Sequence, residues 1–398
     1  MTFKKITGTL HLWLGLASGL IVCFLGITGC ILAFQQEIER AVQEYRFVEP
    51  QDRSYLPPSR LGAIASAQLP GKHRHSITYG DAGDAAVVAF YNIDPEYYFL
   101  AFLNPYTGEV LKVKDMSDDF FRIMINGHFY LWLPPAIGQP VVASATLCFF
   151  VLLVTGLILW WPKNKSARKQ RFTVKWTARW RRVNYDMHNV LGFYAMFIAF
   201  FLATTGLIMG FQWFSKSVYW LASGGKEQVL FYEPMSKKTP VKTAGEPAPD
   251  RVWKFMVKNY PSARTVEVHY PDSDTASISG VANFGEGTYW NTDVRYFDQH
   301  TFEEITVNHS FGRKKDLKIA DKIMRMNYDI HVGAILGLPG KIMAFCASLI
   351  CASLPVTGFM IWWGRRKKDK TPGKKSVVGR GAEHLRKPPQ RKPYLATR

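Results

Sequence analysis

The chain of 398 residues has few cysteines, and none of them lies in a polar segment. The five are Cys23, Cys30, Cys148, Cys346 and Cys351, and all fall within long apolar stretches. The polar segments therefore contain neither a disulfide framework nor a thiolate metal site. We interpret the cysteines as small apolar packing residues.

Acidic residues are scarce in three basic stretches. Residues 163–182 contain nine Lys or Arg and no acid, residues 365–398 contain thirteen with two acids, and Lys4 and Lys5 stand near the N-terminus. These stretches carry a net charge of +22, which exceeds the +19 of the whole chain. Because the remainder is slightly acidic, we interpret the basic stretches as topology determinants that contact anionic lipids, and we predict no nucleic-acid binding.

Four long apolar segments run from Leu10 to Phe34, Gly138 to Trp161, Val190 to Phe214 and Pro339 to Trp363. Each is close to the ~20 residues that cross a ~30 Å hydrocarbon layer, so four transmembrane helices are predicted. Because Lys and Arg accumulate at cytoplasmic ends, both termini are predicted inside and the two polar inserts outside. The first segment is too long for a cleaved signal and is interpreted as a retained anchor.

The two halves of the chain repeat one pattern. In the first and third apolar segments, His11 and His188 are followed by glycine at +4 and by a Thr-Gly step at +17. In the other two, His128 and His331 precede a Leu-Pro pair, a Thr-Gly step and a Trp-Trp pair. The prolines predict helix breaks that leave these two histidines on short surface helices. The Thr-Gly steps are interpreted as helix-packing sites.

The inserts also correspond, since each has one helix that ends at a proline, followed by alternating stretches such as HSITYGD and TVEVHYP. Each is predicted to be one helix on its own small antiparallel sheet. The predicted fold is a polytopic α-helical membrane protein with four transmembrane helices in a tandem duplicated arrangement and two α+β inserts. Its segments are helix 1 (1–36), insert 1 (37–116), surface helix plus helix 2 (117–162), basic loop (163–183), helix 3 (184–214), insert 2 (215–318), surface helix plus helix 4 (319–364) and disordered tail (365–398).

A histidine at the end of a membrane helix is costly unless its ring nitrogens are satisfied, so these four are functional-site candidates. The helix directions place His11 and His188 at the inner face, and His128 and His331 at the outer face. A pseudo-two-fold axis along the membrane normal would bring each histidine to its repeat mate. Two facing imidazoles can bind one haem iron axially, which predicts two haem sites.

Gly15 and Gly192, one turn beyond a histidine, leave room for a macrocycle and are predicted to contact the cofactor. Zinc or copper is the alternative, but no pair has the two further ligands of a closed tetrahedral site. Asp186 and Asp329, two residues before a histidine, are interpreted as helix caps. The other histidines are interpreted as solvated loop residues, with a substrate surface as the alternative for His73 with His75 or His300 with His309; the remaining two are His269 and His384.

The segments HLWLGLASGLIVCFLGITGCILAF, NYDMHNVLGFYAMFIAFFLATTGLI and NYDIHVGAILGLPGKI, with TGFMIWWGRR, resemble the PepSY-associated transmembrane helix family up to about Lys368. The inserts resemble its PepSY-like modules. This resemblance implies a bacterial inner-membrane haem protein linked to iron uptake, similar to reductases that release iron from ferric siderophores. Some relatives carry a fused flavin reductase domain that this sequence lacks, which leaves a quinol, a flavoprotein or a small reductant as the electron donor.

We therefore expect a dihaem oxidoreductase with two haem b groups, one between His11 and His188 and one between His128 and His331. Its expected partners are a cytoplasmic or quinol donor, a periplasmic ferric siderophore and anionic lipids. The alternative is a PepSY-type sensory or inhibitory module, or a permease, that binds no haem.

Reporter fusions test the predicted topology. Fusions after Asn104 and Asp274 should be exported, and fusions after Lys169 and Lys375 should stay in the cytoplasm, because basic loops are retained there. Alkaline phosphatase and green fluorescent protein activities measure the two locations. An insert found in the cytoplasm would contradict the assignment of the histidine pairs to opposite faces.

Overall fold

The computed structural model describes residues 1–162, 168, 171–237 and 245–369; most of the predicted basic loop and nearly all of the predicted disordered tail lie outside this range. Its helices are α1 (Phe3–Ala33), α2 (Gln35–Val42), α3 (Pro58–Gln68), α4 (Phe120–Tyr130), α5 (Pro135–Trp160), α6 (Trp180–Gly210), α7 (Gln212–Ser223), α8 (Ala248–Asn259), α9 (Ile319–His331) and α10 (Gly337–Asp369). Helices α1, α5 and α6 and the segment Ala334–Arg366 are long and apolar enough to cross a membrane. The chain is therefore a multi-pass membrane protein.

The four long helices form a bundle in which each packs on two neighbours. Helix α1 contacts α5 and α10, and α6 contacts the same two, so α1 and α6 occupy opposite corners. Helices α1 and α6 begin, and α5 and α10 end, at the end of the bundle that bears Lys4, Arg171, Arg182 and Arg365, which we name the basic end. The other end, which adjoins the β-strands, is the sheet end.

The strands are β1 (Arg74–Tyr79), β2 (Ala86–Ile93), β3 (Glu96–Leu103), β4 (Val110–Asp115), β5 (Thr265–His269), β6 (Ser277–Asn283), β7 (Thr292–Asp298) and β8 (Glu304–Ile305). They form one antiparallel sheet in the order β4-β3-β2-β1-β5-β6-β7-β8. The prediction of a separate sheet in each insert is therefore wrong. Strands β1 and β5 pair from Ser76↔His269 to Tyr79↔Val266, and this pairing satisfies two edges that would otherwise expose unpaired backbone groups.

Helices α3 and α8, which agree with the predicted insert helices, cover one face of this sheet. Leu61 and Val252 of the helices and Ile77 and Val268 of the strands are fully buried in one core. The buried Asp250 of α8 accepts hydrogen bonds from the backbone N–H and the hydroxyl of Ser59 in α3, at 2.7 and 2.6 Å. The two inserts thus form a single unit, which we name the sheet domain.

Helices α4 and α9 are the short helices predicted before the second and fourth spans. The prolines do not end them, however. Leu131 and Trp132 after α4 and Gly333 after α9 adopt positive φ angles of 55°, 57° and 78°, which turn the chain. Pro134 is instead the N-cap residue of α5, and Pro339 lies in the first turn of α10, where a missing N–H is tolerated.

Gly26 sets the distance between α1 and α10. A Cβ atom at this position would lie 2.8 Å from both the Cβ of Ala352 and the carbonyl oxygen of Ser348, so one helix would have to move. We expect Gly26→Ala to lower the free energy of unfolding by about 1–3 kcal/mol. The control is Gly364→Ala in α10, where an added Cβ meets nothing within 4 Å. Thermal unfolding in detergent measures both, and equal midpoints would contradict this packing.

Candidate two-histidine sites

The structure brings the four histidines together as two pairs at opposite ends of the bundle. His11 of α1 and His188 of α6 line one cavity at the basic end. His128 of α4 and His331 of α9 face each other at the sheet end, with ring centroids 6.3 Å apart and planes inclined by 68°. Each pair joins one histidine from each half of the chain.

Every one of these histidines is hydrogen-bonded through Nδ1 to a threonine of a Thr-Gly step. The bonds are His11 to Thr155 at 2.9 Å, His128 to Thr28 at 2.8 Å, His188 to Thr357 at 2.9 Å and His331 to Thr205 at 2.8 Å. The interpretation of these steps as helix-packing sites missed this contact. Their recurrence in all four apolar segments was the pattern that pointed to it.

The direction of these hydrogen bonds follows from the single proton on each threonine hydroxyl. Each hydroxyl donates to a carbonyl four residues earlier in its own helix; the acceptors are Phe24, Val151, Phe201 and Ser353, at 2.7–3.1 Å. The hydroxyl must then accept from the imidazole, so Nδ1 carries the proton. The Leu202 carbonyl, 3.1 Å from Nδ1 of His331, requires the same tautomer there. In the neutral ring the Nε2 lone pair remains available for a metal.

The glycine of each Thr-Gly step lets an imidazole lie against the helix. A Cβ atom at Gly358 would lie 3.2 Å from Cε1 of His188, and the corresponding distances at the other three steps are 3.4–3.6 Å. A larger side chain would therefore displace the ring. The threonine fixes the orientation of the histidine and the glycine provides the space it occupies.

The cavity between His11 and His188 has a volume of about 510 Å³, within the roughly 300–1,000 Å³ of ligand pockets. Gly15 and Gly192 both line it, and a Cβ atom at Gly15 would meet only Leu152, at 3.9 Å. The space beside this glycine is thus open to a flat ligand.

Aromatic and basic side chains complete this cavity. The rings of Trp160 and Phe193 stack on its wall with centroids 3.8 Å apart. Arg171 and Arg365 line its basic end, where they can pair with carboxylates. An apolar wall with cations at one end suits a planar, mainly apolar group that carries acidic substituents, as haem does.

The pair at the sheet end has the spacing of two axial ligands. With metal–nitrogen bonds of about 2.0–2.1 Å, two rings on opposite sides of one metal have centroids roughly 6 Å apart. Burial, with a smaller contribution from His331, lowers the pKa of His128 to about 3, and burial lowers that of His331 to about 4. Both rings are therefore neutral at physiological pH, as metal ligation requires.

Within the part of the chain that the structure describes, no group of three His, Cys, Asp or Glu side chains converges to hold a metal ion. A metal bound at either pair therefore has two protein ligands and must bring the others with it. The donor sets fit a macrocyclic metal complex better than a bare zinc or copper ion.

The asparagines of the repeated Asn-Tyr-Asp motif support the same threonines. Asn184 and Asn327, one turn before His188 and His331, donate from Nδ2 to the backbone carbonyls of Thr357 and Thr205 at 3.1 and 3.2 Å. Their Oδ1 atoms are buried and have no hydrogen-bond partner among the described residues. Sequence reasoning did not assign these asparagines a function, although their position at −4 places them on the histidine face.

The aspartates of the motif are not helix caps, so that interpretation is wrong. Asp186 and Asp329 lie inside α6 and α9, beyond the first turn. Asp186 accepts from Nε of Arg182 at 2.9 Å and from the backbone N–H of Lys175 at 3.3 Å. Asp329 accepts from backbone N–H groups of the loop between β6 and β7. Each aspartate anchors a loop to a histidine-bearing helix.

The face of the sheet opposite α3 and α8 bears polar side chains. Glu267 and His269 lie on this face because Val266 and Val268 alternate with them into the core. His269 Nε2 is 3.4 Å from Glu267 Oε1. Burial opposes both charges, yet the pair holds the pKa of His269 above and that of Glu267 below its ordinary value. The ring of His75 lies 5.1 Å from that of His269, so these two share a polar surface.

His309 is not a solvated loop residue, because it is 4% exposed and the rings of Phe231 and Tyr232 cover it at 5.1 and 4.9 Å. His300 instead lies in an exposed turn near the Asp274 carbonyl, 2.9 Å from its Nε2. One of these two histidines is thus buried and the other lies in an exposed turn, so they do not share one surface.

The family model of the PepSY-associated TM region matches residues 9–365. The chain belongs to this family. The matched range contains both histidine pairs, the described sheet domain, all of α5 and α6, and most of α1 and α10. A comparison with curated proteins finds no match.

Thr155→Val should leave the buried Nδ1–H of His11 without its acceptor. We expect the free energy of unfolding of the haem-free protein to fall by about 1–3 kcal/mol. The control is Thr146→Val in the same helix, because the Thr146 hydroxyl bonds only to the Val142 carbonyl, at 2.9 Å. Denaturant unfolding in detergent micelles measures both variants, and equal losses would contradict a stabilising hydrogen bond between Thr155 and His11.

Proposed function

We propose that this chain is an inner-membrane dihaem protein that carries electrons across the bilayer to a ferric siderophore in the periplasm. The observation that supports the proposal is the fourfold Thr–His hydrogen bond, which places a proton on each Nδ1 and leaves the Nε2 lone pair of each ring as the potential metal ligand, in two inter-half pairs at opposite ends of the bundle. A structural histidine would normally engage both ring nitrogens with fixed partners.

His11 and His188 would hold one haem and His128 and His331 the other. When bound, haem supplies one-electron redox chemistry with a potential set by its axial ligands and their hydrogen bonds. The threonines keep each ring in the ligating tautomer. Gly15 and Gly192 add no side chain to the cavity that they line. Arg171 and Arg365 would pair with the propionates at the basic end.

The distribution of charge supports the orientation. Lys4, Arg171, Arg182 and Arg365 lie at the basic end, and the positive-inside rule assigns this end to the cytoplasm. The sheet domain is then periplasmic, above the His128 and His331 pair. The partly exposed carboxylate of Glu267 and imidazole of His269 give its face opposite α3 and α8 the polar groups that a hydrophilic iron chelate requires.

Haem content of single variants tests the ligand assignment. His188→Ala and His331→Ala should each bind about half the haem of the wild type, because each removes one axial bond of a different site. The control is His75→Ala, which changes a sheet histidine and should keep the full content. Pyridine haemochrome assays on monodisperse protein measure this, and full haem in both ligand variants would support the sensory or permease alternative.

The two sites should also differ in function. His331→Ala should abolish reduction of a ferric siderophore added on the sheet side, while a donor on the basic side still reduces the remaining haem. His188→Ala should leave a haem that dithionite reduces and the physiological donor does not, since the inner ligand is lost. Proteoliposomes with the donor inside and the chelate outside separate these results. Wild-type reduction by either variant would contradict the relay.

A further inference from the structure

Helix α9, which ends at His331, is attached to the sheet domain by buried hydrogen bonds. The carboxylate of Asp329, which is 0% exposed, accepts from the backbone N–H groups of Tyr289 at 2.9 and 3.1 Å and of Trp290 at 2.8 Å. These two residues belong to the loop between β6 and β7, residues 284–291, which we name the β6–β7 loop. The ring of Tyr289 also packs on Tyr328, with centroids 5.5 Å apart.

Further contacts fix the same helix along its length. Arg325, one turn before Asp329, is buried and donates to the carbonyls of Ser310, Gly312 and Thr292 at 2.5–2.7 Å. Asn327 donates to the carbonyl of Thr205, whose hydroxyl holds His331. The contacts of Arg325, Asn327 and Asp329 thus hold the six residues of α9 that precede His331.

The corresponding helix of the first half is attached differently. Helix α4 contacts the sheet through the ion pair of Asp119 with Lys114, which lies at its N-terminus, and through Arg122, whose guanidinium lies 5.5 Å from the ring centroid of Tyr98. These contacts lie six or more residues before His128, whereas Asp329 lies two residues before His331. Of the two ligand candidates at the sheet end, His331 is the one closely linked to the sheet domain.

We propose that Asp329 is a positioning residue that transmits the position of the β6–β7 loop to His331, so that a displacement of this loop alters the outer site. The inference rests on the proposed haem ligation by His331. It adds a route by which the sheet domain adjusts the site beneath it.

The first test is Asp329→Asn, which keeps the side-chain shape but removes the charge and one acceptor. It should change the electron paramagnetic resonance g values of one haem, the one that His331→Ala removes, and speed transfer of that haem to apomyoglobin on the order of tenfold. The matched control is Asp186→Asn, which changes the equivalent residue before His188 and should leave the outer haem unchanged. A purely structural anchor would lower stability without this selective spectral change.

The second test perturbs the loop without changing α9. Gly287 has a φ angle of 61°, which strains an L side chain, and a Cβ atom there would lie 2.5 Å from Oε1 of Gln36, so Gly287→Ala should strain the β6–β7 loop and alter its contact with the Gln36 side chain. It should produce the same change in the outer haem as Asp329→Asn. Gly71→Ala is the control, because Gly71 has a φ angle of 76° but an added Cβ meets nothing within 4 Å.

The proposal is supported if Asp329→Asn and Gly287→Ala change the g values of the outer haem in the same way and both control variants keep the wild-type g values of that haem. Wild-type g values and haem transfer rates in both Asp329→Asn and Gly287→Ala would overturn it, even with both haems present. Loss of the outer haem alone in Asp329→Asn counts in favour if Gly287→Ala shifts the same signal. A wild-type protein without haem would instead defeat the proposed function, and this is visible before any variant is made.

Discussion

A hydrogen bond from histidine Nδ1 to a threonine hydroxyl is the interaction on which both sites depend. An imidazole in an apolar bundle must satisfy its N–H or lose roughly 1–3 kcal/mol. The threonine hydroxyl accepts this N–H and donates its own proton to a backbone carbonyl in the preceding turn of its helix. The hydrogen bond thereby fixes the orientation and the tautomer of the ring before any cofactor binds. The hydrogen-bond partners of metal-ligating histidines generally have this effect.

Each of these hydrogen bonds lies within one half of the chain, whereas each histidine pair takes one member from each half. Thr28 and Thr155 serve the first half, and Thr205 and Thr357 serve the second. A half can therefore orient its own histidines but cannot form a two-histidine site. The halves join a second time in the sheet domain, where β1 pairs with β5. The histidine pairs and the β1–β5 pairing therefore both require the two halves to associate in one register.

The sequence predicts those features that depend on local pattern. Four spans, the short helices α4 and α9 and the insert helices follow from apolar length, proline position and periodicity. The union of two sheets does not, because a strand such as TVEVH can pair with any compatible edge, and its partner here lies nearly 200 residues away. The threonine partners were similarly hidden, since Thr155 is 144 residues from His11. Asp329 was interpreted as a cap because the backbone N–H groups that it accepts from lie in a loop 40 residues away in sequence, which a local pattern does not show.

The two ends of the bundle differ although the histidine and Thr-Gly spacings recur in the two halves of the chain. At the basic end the histidines project from long spans into a cavity bordered by arginines, and at the sheet end they lie on short helices attached to a folded domain. We propose that each end of the bundle holds a haem between two histidines. Haem quantification and low-temperature electron paramagnetic resonance of the purified wild-type protein measure this. We expect about two low-spin, six-coordinate haems per chain, and a correctly folded, monodisperse protein without haem would contradict the proposal.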